Sequence, residues 1–119
     1  MAHRVKESDI QRAIVNYVRQ VLPDAVCFAV PNAARRGKSG RASNGVPGLM
    51  RGVSDLCVVL PFKVIFAEVK TDKGKVSPEQ RGFGMRMMAL GHSFAVWRSI
   101  DDVRRTFEAL QIRTRETVL

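Results

Sequence analysis

The chain has 119 residues, 45% hydrophobic and 26% charged, with a formal net charge of +9 and a pI near 10.6. These are the proportions of an ordinary globular protein with one domain and one core, and no apolar run approaches the roughly 18 residues of a membrane span. The charge points to a polyanionic partner, nucleic acid first, because no basic amphipathic helix with a large apolar face suggests a membrane surface.

Residues 6–22 carry a helical pattern, with Ile10, Ile14, Tyr17, Val18 and Val21 recurring at spacings of three and four. Ser8 and Gln11 have capping-box spacing, and Leu22-Pro23-Asp24 closes the segment. Glu7 and Gln11 stand four apart, on one helix face. Glu7 suits the positive end of the helix dipole; it equally suits an oxygen ligand carried over a site by the packing of the helix. Gln11 has three readings: a ligand, a group that orients a ligand, or the cap. Residues 25–30 then predict a short strand that stops at Pro31. Cys27 in it, and Cys57 further on, read as reduced core residues.

Residues 31–51 change character. Four glycines, two prolines and the cations Arg35, Arg36, Lys38, Arg41 and Arg51 replace apolar periodicity, so a long basic loop is expected, suited to a phosphate backbone and ordered only when DNA is present. Asn32 fits a substrate contact and a turn equally well.

Two β-branched runs, residues 56–60 and 64–67, flank Pro61-Phe62-Lys63 and predict a β-hairpin. With the turn centred between Pro61 and Phe62, Leu60 faces Lys63 and, by the same register, Asp55 faces Glu68. Opposed residues share a face with Cβ atoms about 5 Å apart, and Lys70 shares it too. Two carboxylates and an ammonium therefore converge at the open end of an apolar hairpin. Like charges directly opposed destabilise a sheet, which leaves two readings. Lys70 bridges the acids in a structural ion pair, or the acids take up a hard divalent cation with water and substrate phosphate.

Gly52 precedes this end and permits a sharp turn or a close approach. Residues 71–75 form a polar turn carrying Lys73 and Lys75. Ser77-Pro78-Glu79-Gln80 is a strong helix start, with Phe83, Met87 and Leu90 as its apolar stripe and Gly91 as its C-terminal cap. Gln80 and Arg81, in the first turn, are placed to reach a phosphate or the carboxylates; Gln80 is equally well explained as the cap. Residues 93–97 predict a strand and Ser99 caps a last helix bearing Val103, Phe107 and Leu110. The tail from residue 113 is expected to fray. His3 and His92 have no partners at catalytic or metal spacing. The order helix, strand, loop, strand, strand, helix, strand, helix predicts an α/β fold, a small mixed sheet flanked by helices, in a single domain over residues 1–119.

No GxxxxGK[ST] loop, GxGxxG turn, CxxC pair or GxSxG elbow occurs, which removes support for P-loop, dinucleotide and hydrolase-elbow chemistry. The ordered set that remains resembles the PD-(D/E)xK nuclease superfamily and, within it, the VRR-NUC family. It comprises Glu7-Ser8-Asp9-Ile10-Gln11, Gly52-Val53-Ser54-Asp55, Glu68-Val69-Lys70, Ser77-Pro78-Glu79-Gln80 and Gly91, and so spans nearly the whole chain. Ser54 departs from the family, which usually has proline before the aspartate.

The resemblance implies a restriction-endonuclease-like core and Mg²⁺- or Mn²⁺-dependent hydrolysis of DNA phosphodiesters. Asp55, Glu68 and the Val69 carbonyl would be metal ligands, with Glu7 or Gln11 completing the shell. Lys70 would orient or help deprotonate the attacking water, and Gln80 would support the site. Small stand-alone members resemble Holliday-junction resolvases, which implies a homodimer acting on four-way or branched junctions. With no apolar signal core at the N-terminus, a cytoplasmic protein without membrane attachment is expected. Two other classes remain open: a DNA-binding protein whose carboxylate cluster is structural, and an RNA-directed nuclease. The low aromatic content gives the latter no stacking platform.

Overall fold

A computed structural model of the chain describes residues 5–31 and 46–117. Three helices and four strands follow in the order α1 (Glu7–Val21), β1 (Val26–Ala29), β2 (Leu56–Leu60), β3 (Lys63–Val69), α2 (Pro78–Ala89), β4 (Ser93–Trp97) and α3 (Ile100–Ala109). The strands form one mixed sheet in the order β1-β2-β3-β4. β1-β2 and β2-β3 pair antiparallel, whereas β3-β4 is parallel, as a connection through α2 allows.

Strand alternation divides the side chains between two layers. Cys27, Leu56, Val58, Ile65, Ala67, Val69 and Trp97 point to one side and join Ile14, Tyr17, Val18 and Val21 of α1 with Val103 and Phe107 of α3 in one core. This stripe of α1 is the one its sequence spacing predicts. Trp97 is fully buried, donates from Nε1 to Thr106 Oγ1 at 2.9 Å and meets Phe107 edge-on. On the opposite side α2 lies over β3 and β4, where Phe83 meets Phe66 edge-on at 5.4 Å. The sheet is thus covered by α1 and α3 on one side and by α2 on the other.

The hairpin register is the predicted one: Leu60 pairs with Lys63 and Leu56 with Ala67, so Asp55 stands at the position across from Glu68. Pro61 followed by Phe62 at φ 69° makes the tight turn, the pattern of a type II turn. Ser77 and Gln80 form the expected capping box, each side chain accepting from the other's backbone N–H, and Ser99 accepts from the Asp102 N–H. Gly91 takes the left-handed conformation after α2.

Two local expectations fail. The N-cap of α1 is Lys6, with no side-chain cap. Ser8 lies inside the first turn, so it and Gln11 form no capping box. The tail does not fray over residues 113–117. The Arg115 N–H donates to Val21 O at 2.9 Å, and Glu116 accepts from Tyr17 and from Arg104. No helix among the described residues is long and apolar enough to cross a membrane.

Candidate active site

The site is built at the end of the sheet where β2 begins and β3 ends. Asp55 continues β2 by one residue, and its carbonyl accepts from the Val30 N–H at 2.8 Å, which extends the β1-β2 ladder past Ala29. Its side chain turns toward β3 and accepts from the Val69 N–H through Oδ2, also at 2.8 Å. A carboxylate oxygen thereby takes the place of a backbone acceptor at the last rung. This fixes Asp55 against the end of β3.

Glu68 is fully buried on the α2 side of β3. Its Oε1 accepts from Gln80 Nε2 at 2.9 Å, and Gln80 is itself buried in the first turn of α2. Sequence left Gln80 as either cap or site residue. It caps α2, its Oε1 accepting from the Ser77 N–H, and its Nε2 donates to Glu68. The amide's acceptor and donor ends lie on opposite sides of one planar group. The capping box therefore sets the direction in which the donor points.

The first turn of α2 is held to the strand by Gly52. This residue has φ 82°, and a Cβ built on it would stand 2.3 Å from the Glu79 carbonyl oxygen. Only a residue without a side chain allows residues 51–54 to pass that close to the α2 N-terminus. Ser54 and Asp55 are both buried beside it.

Lys70 follows on the Glu68 face and is 8% exposed. Its N–H donates to the Trp97 carbonyl at 3.1 Å, tying it to β4. Arg98, at the end of β4, closes the following turn. Its Nη1 donates to the carbonyls of Thr71 at 2.5 Å and Gly74 at 2.7 Å, with Asp72 further off at 3.4 Å.

A cavity of about 840 Å³ opens beside Asp55 between α1 and the end of β1. Glu7 and Gln11 line it, as do Arg12, Asn16 and Arg19. The structure thus brings Glu7 and Gln11 to the same cavity as Asp55. However, no three acidic, cysteine or histidine side chains gather closely enough to hold a metal ion among the described residues. The donor set that is gathered consists of two buried carboxylates on facing strands. Such oxygen donors suit a hard divalent ion that keeps several waters and takes the rest of its shell from phosphate.

Of the cations expected to touch DNA, Arg51, Lys73, Lys75 and Arg81 are exposed. Asn32, Arg35, Arg36, Lys38 and Arg41 lie outside the described residues. The sequence reading missed Arg12, Asn16 and Arg19 as cavity residues. Their spacing of four and three places them on one face of α1, a signal that was present but indistinguishable from an ordinary solvated face. Arg98 left no sequence signal, since its partners are backbone carbonyls of a turn 24–27 residues away.

No family model matches the chain, and no curated protein matches it. A solved structure described as a VRR_NUC domain protein shares the fold, with a TM-score of 0.67 over 91% of this chain and 89% of that one, at 18% identity. The class defined here is accordingly an α/β domain with the VRR_NUC architecture, a four-stranded mixed sheet and three helices.

Proposed function

We propose that the chain is a Mg²⁺- or Mn²⁺-dependent endonuclease that hydrolyses DNA phosphodiester bonds, with four-way or other branched junctions as preferred substrates. The observation that carries the reading is the pair Asp55 and Glu68, two buried carboxylates on facing strands, with Lys70 next on the Glu68 face. A sheet gains nothing from such a pair on its own. The fold shared with the VRR_NUC domain supports the same reading, as does the formal charge of +9.

Asp55, Glu68 and the Val69 carbonyl would hold the metal, with Glu7 and Gln11 at the cavity beside Asp55. The bound ion would polarise the phosphate and lower the pKa of its water. Asp55 is oriented by the Val69 N–H and Glu68 by the Gln80 amide, so neither carboxylate is free to swing from a productive position. Lys70 supplies a fixed positive charge next to the phosphorane oxygens, where charge develops, in a site of low exposure where such a term is large. Arg12 and Arg19 in the cavity and the exposed Arg51, Lys73, Lys75 and Arg81 take the DNA backbone. The junction preference and a homodimer that would nick two strands rest on the family resemblance.

The test is cleavage of end-labelled four-way junction, linear duplex and single strand with Mg²⁺ or Mn²⁺, alongside Glu68→Ala and Lys70→Ala. Metal-dependent nicks on the junction that vanish in both variants are expected. Equal cutting of all three substrates would remove the junction preference alone. Salt-sensitive binding without cleavage under either metal would overturn the nuclease and leave a DNA-binding protein.

A further inference from the structure

We infer that Arg98 is a positioning residue for Lys70, acting through the turn at residues 71–74; the inference rests on the nuclease reading above. Lys70 ends β3, where its N–H is bound to Trp97 O, so its backbone is fixed while its long stem carries several free torsions. The turn that follows folds back over that stem. The Gly74 N–H donates to Thr71 O at 3.1 Å, and a Cβ built on Gly74 would stand 3.3 Å from Lys70 Cδ. Gly74 therefore lies against the middle of the lysine side chain.

Arg98 is what closes this turn from outside. One guanidinium nitrogen donates to the carbonyls at both of its ends, Thr71 and Gly74. The polar residues Thr71, Asp72 and Lys73 offer the turn no apolar anchor of their own. The Arg98 backbone is in turn fixed by its N–H donating to Asp102 Oδ2 at 2.8 Å in the first turn of α3. A rigid line thus runs from α3 through Arg98 and the turn to the stem of Lys70. Lys70 is only 8% exposed, with Gly74 of this turn against its stem.

A residue that orients a transition-state group lowers kcat when removed and leaves ground-state binding little changed. It also has no effect once that group is gone, because coupled residues are not additive. Arg98→Ala is expected to lower kcat about tenfold with KM within about twofold. In a Lys70→Ala background the same substitution is expected to change kcat less than about twofold. Arg98→Lys, with one donor group able to reach a carbonyl, should recover part of the loss. Gly74→Ala, which crowds Lys70 Cδ without touching Arg98, should lower kcat as well.

A second measurement needs no activity. Acylation of Lys70 by a water-soluble succinimidyl ester, read by peptide mass spectrometry, should speed up severalfold in Arg98→Ala while other lysines outside the turn are unchanged. Equal kcat losses with and without Lys70, a change in KM alone, or unchanged acylation of Lys70 would each overturn the inference. A wild-type chain that cuts no DNA, with faster Lys70 acylation in Arg98→Ala, would overturn the nuclease reading and leave the mechanical link standing.

Discussion

Gly52 and Gly48 separate two costs that usually occur together. Both have left-handed backbones, φ 82° and 84°. A side chain in that region costs about 1 kcal/mol or somewhat more. Around Gly48 no described residue lies within 4 Å of a built Cβ, so Gly48→Ala should lose about 1 kcal/mol. At Gly52 the Cβ would meet Glu79 O at 2.3 Å, Glu79 C at 2.5 Å and Gln80 N at 3.0 Å. These are backbone atoms of the first turn of α2 and cannot rotate away, so the segment must shift, at about 1–3 kcal/mol for overpacking. Gly52→Ala should therefore lose about 2–4 kcal/mol in total, a large share of a domain stability of roughly 5–15 kcal/mol. Urea unfolding followed by circular dichroism measures both. Cleavage by Gly52→Ala should also fall, because the shifted turn carries Gln80 away from Glu68, whereas Gly48→Ala should cut normally. Stability losses equal within about 0.5 kcal/mol would refute the close packing of residues 51–54 on α2.

Gln80→Glu keeps an acceptor for the Ser77 N–H but replaces the donor to Glu68 with a second carboxylate, so cleavage should fall at least about tenfold while far-UV circular dichroism stays unchanged. Arg12→Ala removes one cation from the cavity and should flatten the plot of log binding constant against log salt by about 0.9 for duplex DNA. The Arg104 guanidinium first, and the Tyr17 hydroxyl after it, hold the Glu116 carboxyl below its usual range. Its folded pKa is depressed, so its contribution is present above the ordinary glutamate value of about 4.3 and disappears as pH falls through the folded value. Glu116→Gln should therefore lose less Tm than the wild type between pH 6 and pH 3 in differential scanning calorimetry.

What the sequence made legible was local or periodic. The α1 stripe, the Ser77-Gln80 box and the hairpin register each depend on spacings within about a dozen residues, and the Leu60-Lys63 pairing alone carried Asp55 to its place across from Glu68. What it hid depends on contacts between distant segments. The tail is held because Glu116 meets Tyr17, 99 residues earlier, and a polar tail gives no pattern from which to foresee that. Ser8 had the right spacing for a cap, yet α1 starts after Lys6 and leaves Ser8 within the helix. Glu7 and Gln11 reach the cavity beside Asp55 through the packing of α1 on the sheet, which the helix register alone does not reveal. The hydrogen bond from Gln80 to Glu68 depends on the tertiary packing of α2 on β3, which the capping-box spacing does not carry.

The most direct test is nicking of supercoiled plasmid by the wild-type chain, Asp55→Asn and Glu68→Gln, each with Mg²⁺ and with EDTA. Nicking that requires Mg²⁺ and falls by about a thousandfold or more in both variants is the result expected if the carboxylate pair is the catalytic centre. Nicking that persists in EDTA, or that survives in either variant at the wild-type rate, would contradict it.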